Sequence, residues 1–140
     1  MLHHVELNVS NLSVTKDFWG WFLIKLGYVK YQQWEQGVSY KHDNTYIVFV
    51  QAERKYMGIP YHRRRVGLNH LAFHTNSKEQ VNEIMIELNK RAVKILYLDK
   101  KLRAGWQDTY AVYFEDPDRI KIELVAPMNE SSNASVFNRI

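Results

Sequence analysis

The sequence predicts an α+β fold made from one β-α-β-β-β unit used twice. Three observations carry that prediction. Alternating apolar and polar residues begin at His4 and begin again at His70. A stripe of apolar residues at helical spacing follows each of these strands, and three further strand-like runs follow each stripe. Two independent periodic readings in the same order point to an internal repeat.

Element by element, residues 2–9 place His3, Val5, Leu7 and Val9 on one side and His4, Glu6 and Asn8 on the other. Asn11 or Ser13 can cap the helix that follows. Its apolar stripe is expected at Val14, Phe18, Trp21 and Phe22, and Gly27 is placed to end it. The runs YVKYQQW, VSYKH and TYIVFVQ, separated by EQG and DN turns, read as three strands. In the second half NHLAFHT is the strand, Asn76 or Ser77 the cap, and Val81, Ile84, Met85 and Leu88 the helical stripe. VKILYL, TYAVYFE and IKIELVA complete the unit, with DPDR as the last turn, where Pro117 pre-sets φ. These runs predict a single domain over 1–127, with module one at about 1–52, a basic linker at 53–66 and module two at 67–127. The Ser/Asn-rich segment 128–140 has no period and is expected to be a flexible tail.

Composition narrows the function classes. The chain has 140 residues, 46% hydrophobic and 24% charged, with a net charge of +4 and no cysteine. Disulfides, thiolate metal sites and cysteine nucleophiles are therefore excluded, and any metal must be held by His, Asp or Glu. No apolar run approaches the ~18 residues of a membrane span. The first residues lack the basic-then-apolar pattern of a secretory signal, so the expected compartment is the cytoplasm. Lys55 and Arg63, Arg64 and Arg65 form a basic cluster that could hold a substrate carboxylate or phosphate, although a solvated linker is the more common reason for such a cluster. No nucleic-acid-binding motif accompanies it, and neither nucleic acid nor membrane is expected as a partner.

Strand parity picks out the chemistry. If the apolar sides pack on the helices, His4, His70 and Glu123 all lie on the opposite face of their strands. Pairing of the modules would let them converge inside a curved sheet. Two imidazoles and a carboxylate suit Zn, Ni, Mn, Co or Fe(II) with positions left open for water or substrate. The plainer account is that each histidine is hydrogen-bonded or half-exposed, and that Glu123 is salt-bridged to Lys121 or Arg119. Tyr113 shares the parity of Thr109, Ala111 and Glu115; its hydroxyl could donate to a substrate oxyanion. His74 lies on the His70 face about 13 Å along the strand and could act as an acid or base at the rim. Trp34, Tyr40, Tyr46 and Trp106 could line an apolar pocket, with Arg65 at its mouth, although aromatics on strands more often belong to the core.

The stretches LHHVELNVSNLSVTKDFWGWFLIKLGY, NHLAFHT and YAVYFEDPDRIKIELVAP resemble vicinal-oxygen-chelate proteins in content and order over about residues 2–127. This superfamily includes glyoxalase I, extradiol dioxygenases, fosfomycin-resistance transferases and bleomycin-binding proteins. The resemblance implies paired βαβββ modules forming a cupped mixed sheet with helices on its outer face. It implies His4, His70 and Glu123 as ligands of a divalent metal. Two departures matter. The fourth ligand of glyoxalase I falls on Val48 or Phe49, neither of which binds metal, so an authentic glyoxalase I is not expected. Arg119 stands where the family usually has Gly, and is expected to change that turn.

The function expected is a metal-dependent enzyme acting on a small molecule that chelates the metal through adjacent oxygens. Lyase or isomerase, thiol-transferase and ring-cleaving dioxygenase chemistries are all open. The alternative is a non-catalytic protein that sequesters a small molecule or antibiotic in the same cavity. Related proteins often pair modules between chains, and a homodimer is expected.

Overall fold

The computed structural model describes residues 1–97 and 110–127. The element order is β1 (His4–Val9), α1 (Leu12–Lys25), β2 (Val29–Trp34), β3 (Gly37–His42), β4 (Thr45–Gln51), a 3-10 turn at Arg54–Tyr56, β5 (His70–His74), α2 (Lys78–Lys90), β6 (Ile95–Leu96), β7 (Ala111–Glu115) and β8 (Lys121–Val125). Two four-stranded mixed sheets result, ordered β1-β4-β3-β2 and β5-β8-β7-β6. In each sheet the first strand runs parallel to the last, and the remaining pairs are antiparallel. The chain divides into two compact units. One comprises Met1–Asn69 with the turn Asp116–Ile120, the other His70–Glu115 with Lys121–Ile140.

In the first unit Asn11 caps α1, its side chain accepting from the Val14 amide at 3.2 Å. The buried residues of α1 are Leu12, Thr15, Phe18, Trp19, Phe22 and Leu23. The expected stripe through Val14 and Trp21 is thus rotated: Val14 is exposed, and Trp19 is fully buried. Trp19 wins the interior because its ring packs against Phe49 at 4.9 Å while its Nε1–H donates to Asp116 Oδ2 at 2.9 Å. A buried indole needs such a partner, and the carboxylate that supplies it lies 97 residues away.

That carboxylate organises the turn after β7. Asp116 Oδ1 accepts from the amides of Asp118 and Ile120, each at 2.8 Å. Burial pushes the Asp116 carboxyl up to about 6, and the Asp118 charge adds to this, against the three N–H donors that favour its ionised form. Arg119 takes φ 66, the left-handed conformation a glycine would adopt. The strain of that conformation is borne by Arg119.

In the second unit Ser77 caps α2, accepting from the Gln80 amide at 3.1 Å, and Val81, Ile84 and Leu88 form the buried stripe. Both helices end in the same way. Gly27 (φ 89) and Ala92 (φ 56) each take the left-handed position after the cap, and the next amides, Tyr28 and Val93, return to Leu23 O and Leu88 O at 3.0 Å. The strand expected at VKILYL is reduced to Ile95–Leu96, paired with Phe114 and Tyr113. The segment holding Trp106 and Thr109, and the expected tail at 128–140, lie outside the described residues.

Candidate functional site

Strand register arranges the second unit's candidates. β5 runs beside β8 with His70 opposite Lys121 and Ala72 opposite Glu123. β7 runs on the other side of β8 with Tyr113 opposite Glu123. Phe73, Ile122 and Leu124 are buried on one face, so His70, Glu123 and Tyr113 share the other. On that face His70 Nε2 meets Glu123 Oε2 at 3.1 Å. The Glu123 side chain retains 13% of its exposure, and that of His70 33%. Glu123 thus finds its partner in His70 rather than in Lys121 or Arg119.

Tyr113 completes the cluster. Its ring lies 6.1 Å from the His70 ring and 5.4 Å from that of Tyr97, edge-on to both. Burial pushes the Tyr113 hydroxyl up to about 12, helped by the Glu123 charge, a hydrogen bond to Glu123, and Tyr97. The phenol therefore stays protonated at neutral pH and donates to the carboxylate. Lys121 Nζ stands over the rings of Tyr113 and Tyr97 at 5.5 and 5.7 Å, a cation–π arrangement. His74 is exposed on the same side of β5, beyond Ala72.

The first unit repeats the ladder with different side chains. His4 lies opposite Tyr46, Glu6 opposite Val48, and Ser39 opposite Val48 on the other side. By register, Val48 and not Phe49 is the counterpart of Glu123, and Ser39 that of Tyr113. Val48 is buried and offers no donor atom. His4 stacks on Tyr46, with centroids 4.7 Å apart and planes 3° from parallel. Its Nδ1 lies 2.8 Å from His3 Nδ1, which leaves Nε2 as the open ligand atom. Tyr31 flanks Tyr46 at 5.5 Å.

The other expected pocket residues separate. Tyr40 is 2% exposed. It stands opposite Ile47, on the helix side, and its hydroxyl lies so close to Gly20 that a Cβ there would approach it to 2.9 Å. Tyr40 is therefore a core residue and lines no pocket on the His4 face. Trp34 covers Gly37, its pair across the β2–β3 turn, where a Cβ would come within 2.1 Å of the indole. Arg65 donates from Nη1 to the Pro60 carbonyl at 2.9 Å, within the segment after β4.

Lys121, Tyr97 and His3 were missed as site residues. Lys121 was legible, since it has Glu123's parity and lies two residues away. Tyr97 reaches the cluster from the end of β6 with φ 56, which no periodicity signals. His3 should face away from His4 by alternation; it precedes the first paired residue and so escapes that rule.

The donors fit a divalent metal in part within each unit. His70 and Glu123 bring a nitrogen and an oxygen, both apt ligand atoms, to one point, where a metal would displace the shared proton. His4 offers one further nitrogen. Among the described residues, no group of three or more His, Asp or Glu side chains is placed where it could hold a metal ion.

A family model, glyoxalase/bleomycin resistance protein/dioxygenase superfamily, matches residues 1–124. An uncharacterised Bacillus subtilis protein, YqjT, is 52% identical over 126 residues, covering 90% of this chain and 98% of its own. The crystal structure of a proposed glyoxalase from Bacillus halodurans is 53% identical, with TM-score 0.87, over 91% of this chain and 96% of that one. The fosfomycin resistance protein FosX of Listeria monocytogenes is similar in fold, with TM-score 0.67 at 20% identity, over 96% and 97% of the two chains.

Proposed function

The chain belongs to the glyoxalase/bleomycin resistance protein/dioxygenase superfamily, and from that premise we propose that it is a metal-dependent enzyme of small-molecule chemistry. Its substrate presents adjacent oxygens to a divalent ion for which the second unit supplies His70 and Glu123, with His4 the further ligand that the sequence leads one to expect. The observation that carries the reading is the His70–Glu123 contact at 3.1 Å with Tyr113 on the same open face. When bound there, the ion supplies a Lewis acid for a carbonyl, enol or phosphonate oxygen.

The chain's own residues supply the rest. Tyr113, held protonated, offers an O–H to a substrate oxyanion once the ligand frees it from Glu123. Lys121 adds positive charge beside it. His74 is positioned to carry a proton at the rim. With Val48 where a second carboxylate would stand, glyoxalase I chemistry is disfavoured. Lyase or isomerase, thiol-transfer and ring-cleaving chemistry remain, and the metal discriminates among them: ring cleavage needs iron or manganese.

A second reading, sequestration of a small molecule without catalysis, is favoured by one feature. His70 and Glu123 are already hydrogen-bonded to each other at 3.1 Å, so the carboxylate has a partner that is not a metal.

Elemental analysis of gently purified protein beside His70→Ala separates the two. Near-stoichiometric metal that is lost in the variant supports the enzyme reading. Iron or manganese then directs screening to catechols; zinc, nickel or cobalt directs it to thiol and phosphonate substrates. No metal after reconstitution with each ion overturns that reading, and ligand binding unchanged by chelator and by Glu123→Ala establishes sequestration.

A further inference from the structure

A cavity of about 520 Å³ lies within the first unit, between β1 and the segment that follows β4. None of His4, His70, Tyr113 and Glu123 lines it, so its role is separate from the reading above. Leu7 and Val9 of β1, Met57, Ile59 and Leu68 of the following segment, and Ile120 of the last turn give it an apolar lining. Its volume falls within the ~300–1,000 Å³ of small-molecule sites. Ile59 and Val66, both at the cavity, are 77% and 109% exposed, so apolar surface is left open to water there.

The covering segment is held by its own hydrogen bonds. Tyr61 Oη donates to the carbonyls of Leu68 at 2.7 Å and Asn69 at 3.3 Å, and Asn69 Nδ2 donates to Arg63 O at 3.3 Å. Arg65 is clasped to Pro60 O through one Nη1–H. A guanidinium has five donors, so most of its fork remains available to a ligand. His62 Nδ1 accepts from the Arg64 amide at 3.2 Å, which places the proton of the neutral ring on Nε2 as a second donor.

Arg65 and His62 mark the polar end of the ligand. Of the five cations in residues 53–65 only Arg65 lines the cavity, and Lys55 is paired with Glu53 at 3.4 Å. Of the two carboxylates in the lining, Asp118 is engaged by the Ser10 amide at 3.0 Å and by the Ser10 hydroxyl. Glu6 is exposed. We propose that this cavity binds an amphipathic monoanion, a medium-chain or aryl carboxylate, with its apolar body against Leu7, Ile59 and Leu68 and its carboxylate on Arg65 and His62.

The test uses the full chain with octanoate and its cationic counterpart octylammonium, by calorimetry and by amide chemical shifts. Octanoate is expected to bind at millimolar concentration or below, shifting Leu7, Leu68 and Ile120, with octylammonium at least tenfold weaker. Arg65→Gln is expected to weaken octanoate about tenfold. Because Arg65 also clasps its own segment, exposed Val66 provides the second check. Val66→Asp should weaken octanoate and Val66→Lys tighten it, each a few-fold. No octanoate binding, equal binding of octylammonium, shifts centred on His70 and Tyr113, or Val66 variants that move affinity in the same direction would each overturn the proposal.

Discussion

Replacing Glu123 by Gln tests the cluster where its electrostatics are most specific. The Tyr113 hydroxyl stands at about 12 because of burial first, then the Glu123 charge and the hydrogen bond to that carboxylate, then Tyr97. The Gln side chain keeps the shape and removes the charge. The burial contribution stays, so the Tyr113 pKa should fall by about one unit yet remain above 10; one unit corresponds to about 1.4 kcal/mol. The sign for stability follows. A phenol raised in the folded state binds a proton that the unfolded chain has released, so wild-type stability falls as pH rises from 10 through about 12. In the variant that decline should be complete at lower pH. At neutral pH, exchanging charge-assisted hydrogen bonds for neutral ones should cost about 1 kcal/mol. The assay is a phenolate absorbance titration, with the Tyr113→Phe curve subtracted from its parent in each background, alongside urea midpoints across the same pH range. If the difference curve is the same with Glu and Gln at 123, Tyr113 and Glu123 are not coupled and the site as described is wrong.

Trp19→Phe removes the indole donor to Asp116 and should cost about 1–3 kcal/mol in urea unfolding. Native Asp116, raised from 3.8 to about 6, binds a proton that the unfolded chain has lost, so its contribution to stability declines as pH rises from about 4 to 6. In Trp19→Phe the upper end of that decline should move above 6, and unchanged midpoint-versus-pH curves would contradict the reasoning. Ala92→Gly relieves a left-handed residue where the first helix already has Gly27, and a rise in stability of about 0.5–1 kcal/mol is expected by thermal or urea unfolding. Sedimentation should give about twice the 16.7 kDa chain mass for the proposed homodimer, and a single-chain mass would refute it.

Much of the fold was legible because its signals are local. Alternation and helical spacing read the same way in both halves, and the turn and cap residues Asn11, Gly27 and Ser77 sit where their chemistry is used. The α1 stripe was misread because Trp19 and Trp21 are equally apolar in sequence. What separates them is a carboxylate 97 residues away. Tyr40 was misassigned for a related reason, since an aromatic on a strand suits either a pocket or a core, and its side of the sheet depends on pairing with Ile47.

For the candidate site, side-chain parity within one strand placed His70 on the open face of β5, Glu123 on that of β8 and Tyr113 beside it, since parity depends only on the two-residue period of a strand. Register between strands is a different kind of information. Whether Val48 or Phe49 matches Glu123, whether Glu123 meets His70 or a neighbouring cation, and whether a basic segment is merely solvated or closes a cavity over Leu7 and Val9 depend on hydrogen bonds between residues far apart in the chain. A linear pattern carries the face that each residue occupies; the partner it meets there is chosen only when separate strands are brought into one ladder.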